Sequence, residues 1–345
     1  MERLRAVRPG DRVAVLSPSW PAPAYFPDVH ERALERIRDE LGLVPVEYAT
    51  TRRDATPEDR AADLHRAFGD PSIRAVFATI GGDDQITVLR HLDPAVMTAD
   101  PKPFFGYSDN TNLLTWLSFH GVEAVHGGST QVHLGPGPAV DHEQMTSLRA
   151  ALFGGDVELA PVAGTWDNGV PWDSPEVFTA RPAVEPAEPW TWAGPSRVVT
   201  GPTWGGNIEI LQWTLSVSRY VRPVEEYAGH VLLLEASEER PSAAEVFYIL
   251  RSLGERGILA ECPALLWARP HAGDREPRPS AADAARVRAE QREAVLRAVS
   301  AYHPEMVVVL DVDFGHTCPQ WLLPYGGRVT VDAVDRRIVA HFDRG

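Results

Sequence analysis

The sequence predicts an α/β protein of two domains, the first built on a parallel sheet with helices on both faces. Three observations point there. The chain has 345 residues, and at roughly 150 residues per domain that length suggests two. Strand and helix signals alternate from Arg12 to Phe119, as parallel strands joined by crossover helices require. The alternation dissolves between Phe153 and Arg197, and a different pattern follows.

Arg12 to Ser17 (RVAVLS) reads as a buried strand, with a proline-rich loop to Pro27. Asp28 to Leu41 carries Leu34, Ile37 and Leu41 at helical spacing. Val44 to Tyr48 is a short strand. Thr56-Pro57-Glu58-Asp59 starts a helix, with a threonine cap, a proline at the first position and acids in the first turn. Ile73 to Ile80 is a strand ending in Gly81-Gly82, and a helix is expected from there through Leu89. Phe104 to Tyr107 is a strand, and Thr111 to Phe119 a helix stopped by Gly121.

From 153 to 197 proline, glycine and tryptophan dominate, including Trp166, Trp172, Trp190 and Trp192. This reads as an interdomain crossing plus a long loop, and the tryptophans argue against disorder. The expected division is 1–165, then the crossing 166–197, then 198–345. Beyond it, Val198 to Thr200, Val231 to Glu235, Ala264 to Ala268 and Met306 to Asp311 read as strands. Asn207 to Ser216, Ala243 to Leu253 and Ser280 to Ser300 read as helices. Val329 to Asp332 and Arg337 to His341 form a closing hairpin, and Arg269 to Arg278 a solvated excursion.

Composition narrows the function. The formal net charge is −15, so the Lys/Arg footprint that neutralises phosphates is missing and duplex nucleic acid is not an expected partner. The two cysteines, Cys262 and Cys318, lie far apart with no C-x-x-C. That argues against a disulfide framework or a cysteine-rich zinc site and fits a reducing, cytoplasmic setting. Met1 to Pro9 lacks the apolar region of a signal peptide. No run approaches the roughly 18 apolar residues of a membrane span.

Four segments carry chemistry. Gly106-Tyr107-Ser108-Asp109-Asn110 lies at a strand-to-helix turn. A serine there stands over the carboxyl edge of the sheet, at a helix N-terminus that favours a developing oxyanion. The pattern departs from the G-x-S-x-G elbow, with Asn110 in place of the last glycine. Gly81-Gly82 lets the backbone approach a ligand, so the amides of Gly82 and Asp109 could form an oxyanion hole. Glu235 ends the apolar run Val231 to Leu234 and could orient a histidine; Ser237-Glu238-Glu239 follow. Gly315 turns the chain after the last buried strand and presents His316, whose neutral imidazole can take a serine proton. Each segment has a bland alternative: a capping serine, a tight turn, or solvated acids. Asp311, Asp313 and His316, with His120, His126 or His133, form a competing metal reading. No H-e-x-x-H, phosphate loop or dinucleotide fingerprint occurs, and no cofactor is expected.

In combination and order, Gly81-Gly82-Asp83-Asp84, Gly106-Tyr107-Ser108-Asp109, Gly205-Gly206-Asn207, Leu234-Glu235 and Gly315-His316 resemble the LD-carboxypeptidase family of serine peptidases. The resemblance runs from Gly10-Asp11-Arg12 to the C-terminal hairpin. It is closer to the branch of microcin C self-immunity peptidases. It implies a flavodoxin-like or Rossmann-like N-terminal domain, a swivelling barrel-like C-terminal domain, and commonly a homodimer. It further implies a Ser108 nucleophile, a His316 base, a Glu235 orienting acid, and Gly82 and Asp109 amides as oxyanion hole. Gly81 and Asn207 would line the substrate site. Members of that branch cleave an amide joining an acidic aminoacyl or peptidyl group to a nucleotide, whereas murein-trimming members remove a terminal D-alanine. A tryptophan-bearing loop, here Trp190 or Trp192, would stack the base. A catalytically silent binding protein is the reading from another class.

Overall fold

The computed structural model describes residues 4–273 and 279–345. Among these residues sixteen strands, taken in chain order, sort into two large sheets and one small ribbon. β1 (Arg12–Leu16), β2 (Val44–Glu47), β3 (Ile73–Ala78), β4 (Phe104–Gly106) and β5 (Ala124–His126) pair in parallel, in the order β2-β1-β3-β4-β5. All but β2 are almost wholly apolar and buried, as expected of strands covered on both faces. The order reverses direction between β1 and β3, and open α/β sheets bind ligands beyond the carboxyl ends of their strands at such a point.

β6 (Gly155–Leu159) leaves this sheet. β7 (Gly164–Thr165) and β8 (Glu185–Pro186) form the ribbon. β9 (Thr191–Ala193), β10 (Val198–Asn207), β11 (Val231–Glu235), β12 (Ala264–Ala268) and β13 (Val307–Val312) follow, then β14 (Leu323–Tyr325), β15 (Arg328–Asp332) and β16 (Arg337–Phe342). The second sheet runs β6-β16-β15-β10-β11-β12-β13-β9, parallel from β10 to β13 and antiparallel elsewhere.

Local chemistry explains the main helices. Thr56 accepts the Asp59 N–H and opens Pro57–Gly69, and Ser280 accepts that of Asp283 to open Ala281–Tyr302. Ser242 and Glu245 form a reciprocal capping box on Ala243–Glu255.

The structure departs from sequence expectation in four places. Residues after Gly82 form two short 3₁₀ turns, Gln85–Thr87 and Leu89–His91, instead of one helix. The Gln85 side chain is the reason: it donates to Asn110 Oδ1 and accepts from the Leu113 N–H, drawing the segment onto the next helix. The stretch after 153 is not structureless, because β6 pairs with β16 and β9 with β13. Sheet membership also follows no single cut at 165, since β6 already belongs to the second sheet and β14 returns to pair with β5 in the first. The excursion expected from Arg269 begins buried, with Arg269, His271 and Ala272 all enclosed, and residues 274–278 lie outside the described residues.

The two sheets meet closely where the site lies. A Cβ on Gly206 would stand 2.6 Å from Thr111 Oγ1, and the Asn207 N–H donates to that same oxygen. Tyr325 Oη donates to Gly205 O and shares a hydrogen bond with Thr115 Oγ1. No helix among the described residues is long and apolar enough to cross a membrane.

Candidate active site

Ser108 follows β4 at φ +62°, a left-handed conformation that a non-glycine residue holds only when its surroundings impose it. The surroundings do so through the next two side chains, both turned inward. Asp109 Oδ2 accepts from Ser19 Oγ (2.5 Å) and the Gln85 N–H (2.9 Å), and its Oδ1 accepts from Asn112 (2.8 Å). Asn110 donates to the carbonyls of Ile80 and Tyr107. Burial raises the pKa of the Asp109 carboxyl, against its hydrogen bonds to Ser19 and Gln85. The role of Asp109 in any reaction therefore falls to its main chain. Gly81 packs directly on the serine: a Cβ there would lie 2.9 Å from Ser108 Oγ and 3.1 Å from the Asp109 nitrogen. A Cβ on Gly82 would run into Ser19 Oγ.

Glu235 sits fully buried at the carboxyl end of β11, and its Oε2 lies 2.6 Å from His316 Nδ1. Gly315, at φ +86°, makes this approach possible, because a Cβ there would be 2.9 Å from that of Glu235. Sequence reasoning did not foresee the contact on the other ring nitrogen: Glu238 Oε2 is 3.2 Å from His316 Nε2. Burial disfavours the imidazolium, yet Glu235 and Glu238 together outweigh it and raise the His316 pKa to about 9. Among the described residues no hydrogen bond joins His316 to Ser108, although both line one cleft.

That cleft holds about 830 Å³ and opens at the carboxyl ends of β3 and β4. Gly81, Gly82, Ser108 and His316 lie at its base, and Trp20, Trp166 and Trp172 supply aromatic walls. Trp172 packs edge-on against Phe26 (5.3 Å between centroids), and Trp20 stacks on Tyr25 (5.5 Å). Among the described residues the charged lining is Asp83, Asp141, Asp167, Glu238 and Glu239 against a single arginine, Arg181. Two buried lining residues, His133 and Gln144, have no hydrogen-bond partner among the described residues for either polar side-chain atom. Burial pushes the His133 pKa down to about 3, so its ring is neutral.

Three expected substrate contacts are corrected. Trp190 is buried against the second sheet and donates its indole N–H to Asp313 Oδ2 at 2.8 Å. Trp192 lies within β9, opposite Val309. Neither lines the cleft: Trp190 stands just before the edge strand β9 and Trp192 within it, and both pack into the core at the second sheet. Asn207 is buried as the cap of helix Ile208–Val217, accepting the Ile210 N–H, and does not line the cleft either. The metal reading also meets other chemistry. Asp313 is paired with Arg269 at 2.8 Å, and Arg292 lies 3.4 Å from Asp311. Among the described residues no three His, Cys, Asp or Glu side chains converge as metal ligands. Trp172 and Arg181, which do face the cleft, lie in a stretch without periodicity, so nothing in the sequence signals their direction.

Comparison with known proteins agrees with this architecture. Residues 13–127 match the LD-carboxypeptidase N-terminal domain and residues 200–331 the LD-carboxypeptidase C-terminal domain. A murein tetrapeptide carboxypeptidase of Pseudomonas aeruginosa is 34% identical over 43% of this chain and 51% of its own. The microcin C7 self-immunity protein MccF of Escherichia coli is 24% identical over 83% of this chain and 79% of its own. Among solved structures, MccF in complex with aspartyl sulfamoyl adenosine superposes with a TM-score of 0.84 at 21% identity, over 99% of this chain and 98% of that one. An MccF-like protein from Streptococcus pneumoniae in complex with AMP gives 0.84 at 22%, over 97% and 99%.

Proposed function

Since the chain belongs to the LD-carboxypeptidase family, we propose that it is a serine hydrolase cleaving the amide between an acidic aminoacyl or peptidyl group and a nucleotide. The observation that carries this reading is one cleft with Ser108 and His316 at its base, His316 backed by the buried Glu235, and tryptophans on its walls. An indole face offers stacking to a purine without reading its edge, worth roughly 1–3 kcal/mol per base. Trp172 takes the role first expected of Trp190 or Trp192. Arg181, exposed and 3.9 Å from Asp141, is the cation available to an acidic side chain of the substrate. The likeness to proteins solved with aspartyl sulfamoyl adenosine and AMP supports the same substrate class.

On this reading the chemistry is acyl transfer through Ser108. Ser108 Oγ attacks the acyl carbon while neutral His316 takes its proton at Nε2. Glu235, bound to Nδ1, fixes the tautomer and stabilises the imidazolium that forms. The amides of Gly82 and Asp109 receive the negative charge developing on the carbonyl oxygen. His316 then protonates the departing nitrogen, leaving an ester on Ser108 that water hydrolyses by the same steps reversed. No metal or cofactor enters. The buried, unpaired Cys262 and Cys318 support a reducing, cytoplasmic setting, and homodimeric assembly rests on the family resemblance alone.

The test offers the enzyme aspartyl sulfamoyl adenosine and a murein tetrapeptide and identifies products by mass spectrometry. Free aspartate with sulfamoyl adenosine is expected. Release of D-alanine with the nucleotide left intact would assign murein trimming instead. Binding without turnover of either would make this a silent binding protein.

A further inference from the structure

Base catalysis needs His316 Nε2 empty and facing Ser108, yet in the structure that nitrogen is held by a second carboxylate. Glu238 Oε2 lies 3.2 Å away, on a side chain that is 62% exposed. The main chain that carries it is pinned on both sides. Ser237 donates through its N–H and its hydroxyl to Glu209 Oε1 (3.0 and 2.7 Å), and the Glu239 N–H donates to Ser237 Oγ (3.1 Å). The backbone is thus fixed while the carboxylate stands at the cleft with room to turn. Among the described residues the imidazole is its one ion-pair partner.

We propose that Glu238 gates the base and reads an α-ammonium group beside the scissile carbonyl: its carboxylate holds His316 in the free enzyme and leaves the ring when the substrate's ammonium takes it. The inference rests on the acyl-nucleotide reading above. An aminoacyl group carries its ammonium one carbon from the attacked carbonyl, a few ångströms from Ser108 and therefore from His316. A peptide acyl group has that nitrogen locked in an amide and offers no charge there. When Glu238 moves to the ammonium, His316 loses one of its two anions and gives its proton to solvent. The freed Nε2 then accepts the Ser108 proton. The gate thereby couples recognition of the correct acyl group to release of the base.

Other groups around the ring do not substitute for Glu238. Glu209, at the start of helix Ile208–Val217, also favours the imidazolium, but it is tied to Ser237. His126, His133 and His271 are held neutral by burial, which depresses all three, the first to about 4 and the second to about 3. Tyr107 packs on the ring at 4.9 Å, and burial keeps its phenol protonated. Arg181, across the cleft, is the residue assigned to the substrate's acidic side chain.

The experiment compares aspartyl sulfamoyl adenosine with its Nα-acetyl derivative on wild-type enzyme and on Glu238→Gln, and follows the His316 ring by NMR titration in both proteins. Wild type should prefer the free amine by about 10- to 150-fold in kcat/KM, the range of a hydrogen bond to a charged group. In Glu238→Gln the preference should collapse, the acetylated compound should be cleaved faster than by wild type near pH 7, and His316 should titrate at lower pH. An undiminished preference for the free amine in Glu238→Gln would overturn the amine-reading role. An unchanged His316 titration would overturn the gate. Wild type inert toward both compounds would refute the acyl-nucleotide reading, and amine recognition with it, while the titration still judges the gate by itself.

Discussion

Gly81→Ala tests whether Ser108 is the reacting group, because it perturbs the serine without altering any candidate side chain. The new methyl would stand 2.9 Å from Ser108 Cβ and Oγ and 3.1 Å from the Asp109 nitrogen. Carbon contacts relax at about 3.5–4.0 Å, so something must retreat by about 0.5–1 Å. The main chain beyond the serine cannot, since Asp109 is tied to Ser19, Gln85 and Asn112, and Asn110 to Ile80 and Gln85. The displacement therefore falls on the Ser108 side chain, which loses its alignment with the fixed Asp109 amide. A misplacement near 1 Å costs about 100-fold in rate, so kcat should drop by about that factor, with KM little changed, because the cleft walls are untouched. Overpacking of this kind costs about 1–3 kcal/mol of stability, which calorimetry should register as a modest fall in Tm. Wild-type kcat in a folded Gly81→Ala protein would refute the assignment of Ser108.

Further outcomes follow from the same geometry. Glu235→Gln keeps the shape of the buried carboxylate but removes its charge from His316 Nδ1; kcat should fall by about 10²- to 10⁴-fold, and steady-state kinetics at the pH optimum measures it. Because the two glutamates raise the His316 pKa to about 9, the base is protonated below that pH. A profile of kcat/KM should fall on acidification from about 9, close to tenfold per pH unit. The raised value also means that this ion pairing stabilises the fold fully below the unfolded histidine's pKa of about 6.5 and ceases to do so as pH rises through about 9, which denaturant titrations at several pH values can follow. Trp172→Ala should lower kcat/KM on aspartyl sulfamoyl adenosine by about 5- to 150-fold with folding intact. Trp190→Ala should instead cost about 3–5 kcal/mol of stability, because its indole is buried and bonded to Asp313.

What could be read from the sequence was what is encoded locally. Arg12–Leu16, Ile73–Ala78 and Val307–Val312 are continuous apolar runs, long enough to declare buried strands. Thr56, Ser242 and Ser280 cap helices by contacts three residues away. Ser108, Glu235 and His316 stood out because each follows such a run beside a turn or a glycine; Ser108 and His316 line one cleft, and Glu235 lies behind the imidazole. What was not legible depends on distant partners. β14 is three residues long and joins the first sheet by pairing with β5 across nearly two hundred residues. The tryptophans of 153–197 are alike in composition, yet Trp190 is claimed by Asp313 whereas Trp172 is left to the cleft. Glu238 looked like one of several solvated acids, and only the fold brings it to His316 Nε2.

The central claim is that the acyl group passes through an ester on Ser108. Rapid acid quenching of a single turnover with aspartyl sulfamoyl adenosine, followed by proteolysis and peptide mass mapping, tests it directly. The account predicts an aspartyl mass increment on the peptide carrying Ser108, absent from Ser108→Ala, which should have lost nearly all turnover. An increment on a different residue, or a Ser108→Ala enzyme that still turns over at the wild-type rate, would contradict it.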